Sequence, residues 1–267
     1  MNWKHGKRWV YSITYDEGCQ RLLDHAVPLH RRYGIPGHVA LVASQVGVPR
    51  DCPGSSYDGM MILSRAELAA LRAEGWGVSC HSRTHVAITP ENAHLEVVEA
   101  RHLLEETLGW PVPLFCVPGN NQSYPAALAV AAQAGYTAIM TITDLVNVPG
   151  QLHRVHPSAS VPTEAAAPAP PGGPLQLGRV PLHSEYPPPF YSRFDPYKRL
   201  HQARALGGWI IDYCHCPVPG RPIHPWKDCT AEELEQRFQT VLEIGSDEVW
   251  LAEPNEVVAH LLGAPSA

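Results

Sequence analysis

The chain has 267 residues, 45% hydrophobic and 17% charged, which allows a sizeable core and excludes a disordered or low-complexity protein. Its formal net charge is −6 and no basic cluster stands out, so nucleic acid is not an expected partner. No run of about 18 apolar residues is present, so no membrane helix is expected.

In chain order, residues 9–15 read as a strand that runs into Asp16 and Glu17. Residues 22–34 read as a short helix broken at Pro28 and ended by Gly34. Residues 37–44 form a second strand. Residues 64–75 carry Ser64 as N-cap, Glu67 three positions on and Gly75 as the stop, which predicts a capping-box helix. A short strand follows at 76–80. The next helix is expected from Thr89, with Pro90 at its first position, to Gly109. Residues 113–118 and 136–143 read as strands, with a helix at 123–135 between them. The stretch 161–174 is too rich in Pro and Gly for regular structure. A strand at 207–216, a helix at 230–245, a strand at 247–252 and a helix at 253–263 complete the chain.

Repeated strand–helix units predict an α/β protein with a mainly parallel sheet of about seven strands, open or closed into a barrel. Ligands in such folds gather at the carboxyl ends of the strands. The informative residues are therefore Asp16, Glu17, His81, Pro118, Asp144 and His215.

Asp16 and Glu17 are adjacent acids at a strand end, and they repel unless a positive or protonated group is near. His81 and His85 are four apart just past another strand, a spacing that brings two imidazoles together within one turn. Two neutral imidazoles and a carboxylate form a common three-ligand set for catalytic zinc. With 15 histidines in the chain, a chance surface pair stays open on spacing alone. Cys80, Cys214 and Cys216 offer a rival sulfur site, although Cys-x-Cys lacks the spacer of common structural zinc sites.

The seven cysteines form no short-chain disulfide framework, so reduced thiols and a cytoplasmic location are expected. The N-terminal stretch shows no apolar leader segment. A leader removed earlier would leave the same sequence, and secretion stays open on that ground.

The order of these features resembles the polysaccharide deacetylase family, carbohydrate esterase family 4, over roughly residues 9 to 262. Thr14-Tyr15-Asp16-Glu17-Gly18 is similar to the family's first motif, with Glu17 where an Asp is usual. His81-Ser82-Arg83-Thr84-His85 matches the second in full. Pro118-Gly119 keeps part of the third, and the strand ending in His215 matches the fifth. The resemblance implies one catalytic domain over 1–267, a distorted (β/α) barrel of about seven strands with a Pro-rich insertion near 161–197. It implies a metal-dependent hydrolase that removes an acetyl group from an N-acetylated amino sugar. By the same resemblance, Asp16 is the general base and His215 the general acid. Glu17, His81 and His85 hold a divalent metal, expected to be zinc. A backbone N–H near Gly119 or Asn120 is the oxyanion donor. Trp209 is a substrate-pocket candidate beside a core reading.

The third-motif arginine is missing, with Cys116 and Val117 in its region, and Arg83 or Arg154 are candidates to replace it. The fourth motif is not recognisable; Asp144 is a candidate partner for His215, whereas Asp212 should face away. The aromatic loop 183–197 is a candidate sugar-stacking surface. A small non-sugar amide as substrate, or a non-catalytic carbohydrate-binding relative, are the alternatives.

Overall fold

A computed structural model of the chain describes residues 3–119, 124–154, 173–185 and 193–263. The strands are β1 (Trp9–Glu17), β2 (His38–Leu41), β3 (Gly77–Cys80), β4 (Leu114–Cys116), β5 (Ala138–Ile142), β6 (Leu175–Pro181), β7 (Trp209–Cys214) and β8 (Val249–Leu251). All pair in parallel. The order β2-β3-β4-β5-β6-β7-β1 is closed by a β1–β2 pairing, giving a seven-stranded barrel. The eighth strand sits outside the ring.

The distortion has a local cause in β1, the longest strand. Its first residues, Trp9–Tyr11, pair with β8, and its last, Tyr15–Glu17, pair with β2, while β7 runs along its other edge. Alternation along β1 sends Val10 into the barrel with Ala40, Leu114, Met140, Leu177 and Ile211. Trp9, Tyr11, Ile13 and Tyr15 face the helices instead. Both faces are buried, as expected of a central parallel strand.

The helices are α1 (Leu22–Tyr33), α2 (Arg65–Ala73), α3 (Ala100–Leu108), α4 (Tyr124–Ala131), α5 (Leu200–Leu206), α6 (Ala231–Gly245) and α7 (Pro254–Leu262). Capping boxes start α2 at Ser64–Glu67 and α6 at Thr230–Glu233. No described helix is long and apolar enough to cross a membrane.

Three expectations are corrected. Pro28 does not break α1, because burying Leu22, Ala26, Val27 and Leu29 on one face outweighs the single backbone hydrogen bond that proline removes. The segment after Thr89 begins as a turn, and a π turn at His94–Glu99 precedes α3. Strand β6 was not anticipated. It lies beyond a Pro-rich stretch whose residues 155–172 fall outside the described ones, and it pairs with β5 from Ala138↔Leu175 to Ile142↔Arg179.

Candidate active site

The carboxyl ends of the barrel strands meet around a cavity of about 100 Å³. Asp16 and Glu17 enter it from β1, His81 and His85 from the turn after β3, and Val117 and Gly119 from beyond β4. Ile142 comes from β5, Arg179 from β6 and Tyr213 from β7, with His183 and His215 just beyond the ends of β6 and β7. Trp226 and Lys227 close the rim from the loop before α6.

Asp16 is buried and held by two Arg179 hydrogen bonds, Nη1 to Oδ1 at 2.5 Å and Nη2 to Oδ2 at 3.0 Å. Burial pushes its carboxyl upward, but the Arg179 charge and then His81 outweigh that. Asp16 stays ionised well below the usual carboxylate range. Arg179 also donates to Thr14 Oγ1 and lies 4.3 Å from the Tyr213 ring centroid. The resemblance gives the third motif's arginine the task of orienting this acid; here the guanidinium beside Asp16 comes from β6. Arg83 and Arg154 do not take that place: Arg83 pairs with Glu99 at 3.4 Å, and Arg154 donates to the Gly173 carbonyl.

Glu17 has a positive φ of 71° at the end of β1, and its Oε2 accepts from Arg50 Nε at 2.7 Å. Burial raises its pKa, but the Arg50 hydrogen bond and the neighbouring His215, Arg50 and His85 charges outweigh that, and the carboxyl settles at about 2. Next along, Gly18 combines a φ of 77° with close approach of Leu41 and Val39, which would meet any Cβ at 2.5 and 2.9 Å. The first motif therefore needs its glycine on two counts.

The His81–His85 turn is built on left-handed backbone at Ser82 and His85, with φ of 67° and 66°. Such positions cost about 1–3 kcal/mol each and persist only where surroundings enforce them. The enforcing group is Glu96 on the π turn. Its carboxylate is buried and accepts from the Arg83 and Thr84 backbone N–H groups at 3.1 and 3.0 Å and from the Thr84 hydroxyl at 2.7 Å. Ser82 Oγ accepts from the His85 N–H.

The ring states follow from the partners. His81 Nδ1 lies 2.9 Å from the Cys116 carbonyl, which can only accept, so Nδ1 carries the proton and Nε2 presents a lone pair to the cavity. Burial lowers the pKa of His81. Burial, then the neighbouring His81, takes His85 down to about 3. Both rings are neutral at physiological pH, the state a metal ligand requires.

His85 Nε2 is 3.7 Å from Glu17 Oε1, and the two imidazole centroids are 5.0 Å apart. Among the described residues, Asp16, His81 and Cys116 form the cluster whose donor atoms all lie within 4.8 Å of one another. Chemistry separates the two sets. Both Asp16 oxygens already serve Arg179, and burial pushes the Cys116 thiol far up, so it is no thiolate ligand. Glu17 Oε1 faces His85 Nε2 at 3.7 Å, and one carboxylate with two neutral imidazoles is a donor set whose chemistry suits a divalent cation.

His215 stands across the cavity. Its Nδ1 donates to the Lys227 carbonyl at 3.1 Å, leaving Nε2 open, and its ring stacks on Tyr57 at 5.1 Å. Asp228 fixes this turn, accepting from the His215 and Cys216 N–H groups and from the Tyr57 hydroxyl. Asp144 is not its partner, being paired with Lys198 and Arg199, and Asp212 faces away into an ion pair with Arg237.

Of the sequence candidates, the structure gathers Asp16, Glu17, His81, His85, Gly119 and His215. Asn120 lies outside the described residues, as do 186–192 of the aromatic loop. Trp209 does not reach the cavity. It begins β7 at the far end of the barrel, fully buried, with its indole N–H donated to Ser12 Oγ at 2.8 Å. The tryptophan at the cavity is Trp226, half-exposed at the rim. Arg179 was missed although Leu175, Leu177 and Arg179 alternate onto one face; Arg50, Glu96 and Asp228 carry no local signal.

The sequence matches the polysaccharide deacetylase family over residues 4–139, which includes both acids and both imidazoles of the site. Among solved structures, a Mycobacterium smegmatis protein described as a polysaccharide deacetylase is similar, with a TM-score of 0.60 and 14% identity, over 100% of this chain and 96% of that one. A family 4 acetyl xylan esterase from Clostridium thermocellum, solved with a cobalt ion, is similar at a TM-score of 0.51 and 13% identity, over 96% and 93%. A search of curated proteins finds no match. On the family match and the closed parallel barrel, this chain belongs to the polysaccharide deacetylase family.

Proposed function

We propose that this chain is a metal-dependent hydrolase that removes the acetyl group from an N-acetylated amino sugar of a polysaccharide. The observation that carries the reading is one cavity holding an ionised, arginine-clamped Asp16, two neutral imidazoles with Glu17 beside them, and His215 opposite.

A divalent cation held by Glu17, His81 and His85, most simply zinc, would supply Lewis acidity to the attacking water and the acyl oxygen. The protein's own groups do the rest. Asp16 Oδ2 carries the longer of the two Arg179 bonds and lies 4.0 Å from His81 Nε2, so it is placed to take the proton of the attacking water. A carboxylate this acidic is a weak base on its own, which is the chemical reason for pairing it with an acidified water. Arg179 locks the Asp16 plane, so no reorientation is needed during attack.

His215 Nε2, fixed by the Lys227 carbonyl behind it and Tyr57 against its face, hands a proton to the departing amine. An amine leaving unprotonated would be far too basic. A backbone N–H near Gly119 serves the developing oxyanion, and Val117, Ile142 and Tyr213 give the acetyl methyl an apolar wall.

Acetate release from chitooligosaccharides, measured beside small amides, tests the proposal. Activity should be lost on chelation and restored by zinc. A folded, zinc-replete protein that releases acetate from none of these substrates would show it to be a non-catalytic relative.

A further inference from the structure

The two adjacent acids are each matched by their own buried arginine, and the second match has no counterpart in the sequence motifs. Arg50, on the loop between β2 and α2, has a fully buried side chain. Its Nη1 donates to Gln45 Oε1 at 2.8 Å, and its backbone is tied to Met60 and Gly59 at 2.7 and 2.8 Å. It therefore cannot swing away without burying an unpaired charge. Its Nε takes Glu17 Oε2, while Oε1 is the oxygen facing His85. The extra methylene of Glu17 carries one carboxylate to both neighbours.

We infer that Arg50 is a resident counter-ion that confines Glu17 to one-oxygen ligation and weakens the hold of this site on a divalent cation. The inference rests on the metal site of the proposed function. A cation at Glu17 Oε1 shares a single negative charge with a guanidinium that stays in place, and the two positive groups repel through a poorly screened interior. Arg50 is thus a positioning residue acting through Glu17. It also keeps the cation-free protein intact, because Glu17 is never left as an uncompensated buried charge.

The test titrates Zn²⁺ into the chelator-stripped full chain by calorimetry, for wild type, Arg50→Met, Arg50→Lys and His81→Ala. Arg50→Met should bind zinc about tenfold more tightly or better, since one positive charge is gone. Arg50→Lys, which keeps the charge, should stay near wild type, and His81→Ala should lose binding. A structural lesion alone would loosen binding, so tightening is diagnostic. If Arg50→Met fails to fold, Arg50→Gln gives the same reading, its amide still able to donate to Oε2. Wild-type binding with equal or weaker affinity in the charge-free variant overturns the role of Arg50 and leaves the metal site standing. No zinc binding by any folded form overturns the metal site, and this inference with it.

Discussion

The two ends of the barrel differ in kind. At the amino-terminal end lies the larger cavity, about 690 Å³, with Trp76, Trp110, Val258 and Leu262 in its walls. Its carboxylates are committed elsewhere: Glu253 caps α7 and pairs with His38, and Glu256 pairs with Lys4. The carboxyl end has only about 100 Å³. Yet it concentrates two buried acid–arginine pairs and left-handed backbone at Glu17, Ser82 and His85. Volume does not mark the end proposed to be reactive; buried charge and enforced strain do, because a fold keeps such costs only where the surrounding structure compels them.

The sharpest way to break this contrast is Asp16→Asn. It should lower kcat by about 10²–10⁴-fold and leave Arg179 without its counter-charge, costing about 3–5 kcal/mol of stability. Acetate release and urea unfolding measure both. At the opposite end, Trp110→Ala should leave acetate release within about twofold of wild type, since it removes contacts from a cavity without chemistry. A large activity loss there would reverse the assignment of the two ends.

Glu96→Ala comes next. It unfastens the Arg83 and Thr84 N–H groups and should weaken zinc binding about 10–100-fold through His85, read by competition with a chelator.

The smallest effect is a pH dependence carried by His30. Its Nδ1 donates to the Ile35 carbonyl, its Nε2 accepts from Tyr15, and burial takes its pKa down to about 4. A depressed histidine pKa means that the unfolded chain takes the proton first. Its contribution is complete above about pH 6.5 and is lost as pH falls towards 4, at most about 3 kcal/mol. Urea unfolding across that window should show the slope, and His30→Gln should flatten it.

Much of the site was legible because its signals are local. Asp16 and Glu17 end an apolar strand, His81 and His85 are spaced for one turn, and His215 ends another strand; all reach the cavity. Ser64–Glu67 starts its helix and the left-handed Gly34 ends its own as read, because caps are satisfied within a few residues. Trp209 misled because alternation gives the face of a strand but not the height along the barrel. Five residues of β7 separate Trp209 from His215.

The sequence by itself determined the strand–helix alternation, the caps and the short motifs, since these depend on hydrogen bonds and side-chain periodicity within a few residues. Only the tertiary structure decided the charge pairing. Arg179 reaches Asp16 across 163 positions and Arg50 reaches Glu17 across 33. An arginine's position along the chain does not name its partner. The partner is chosen when burial removes water as the alternative, and that happens only once β6, β1 and the loop after β2 have closed around the same small space.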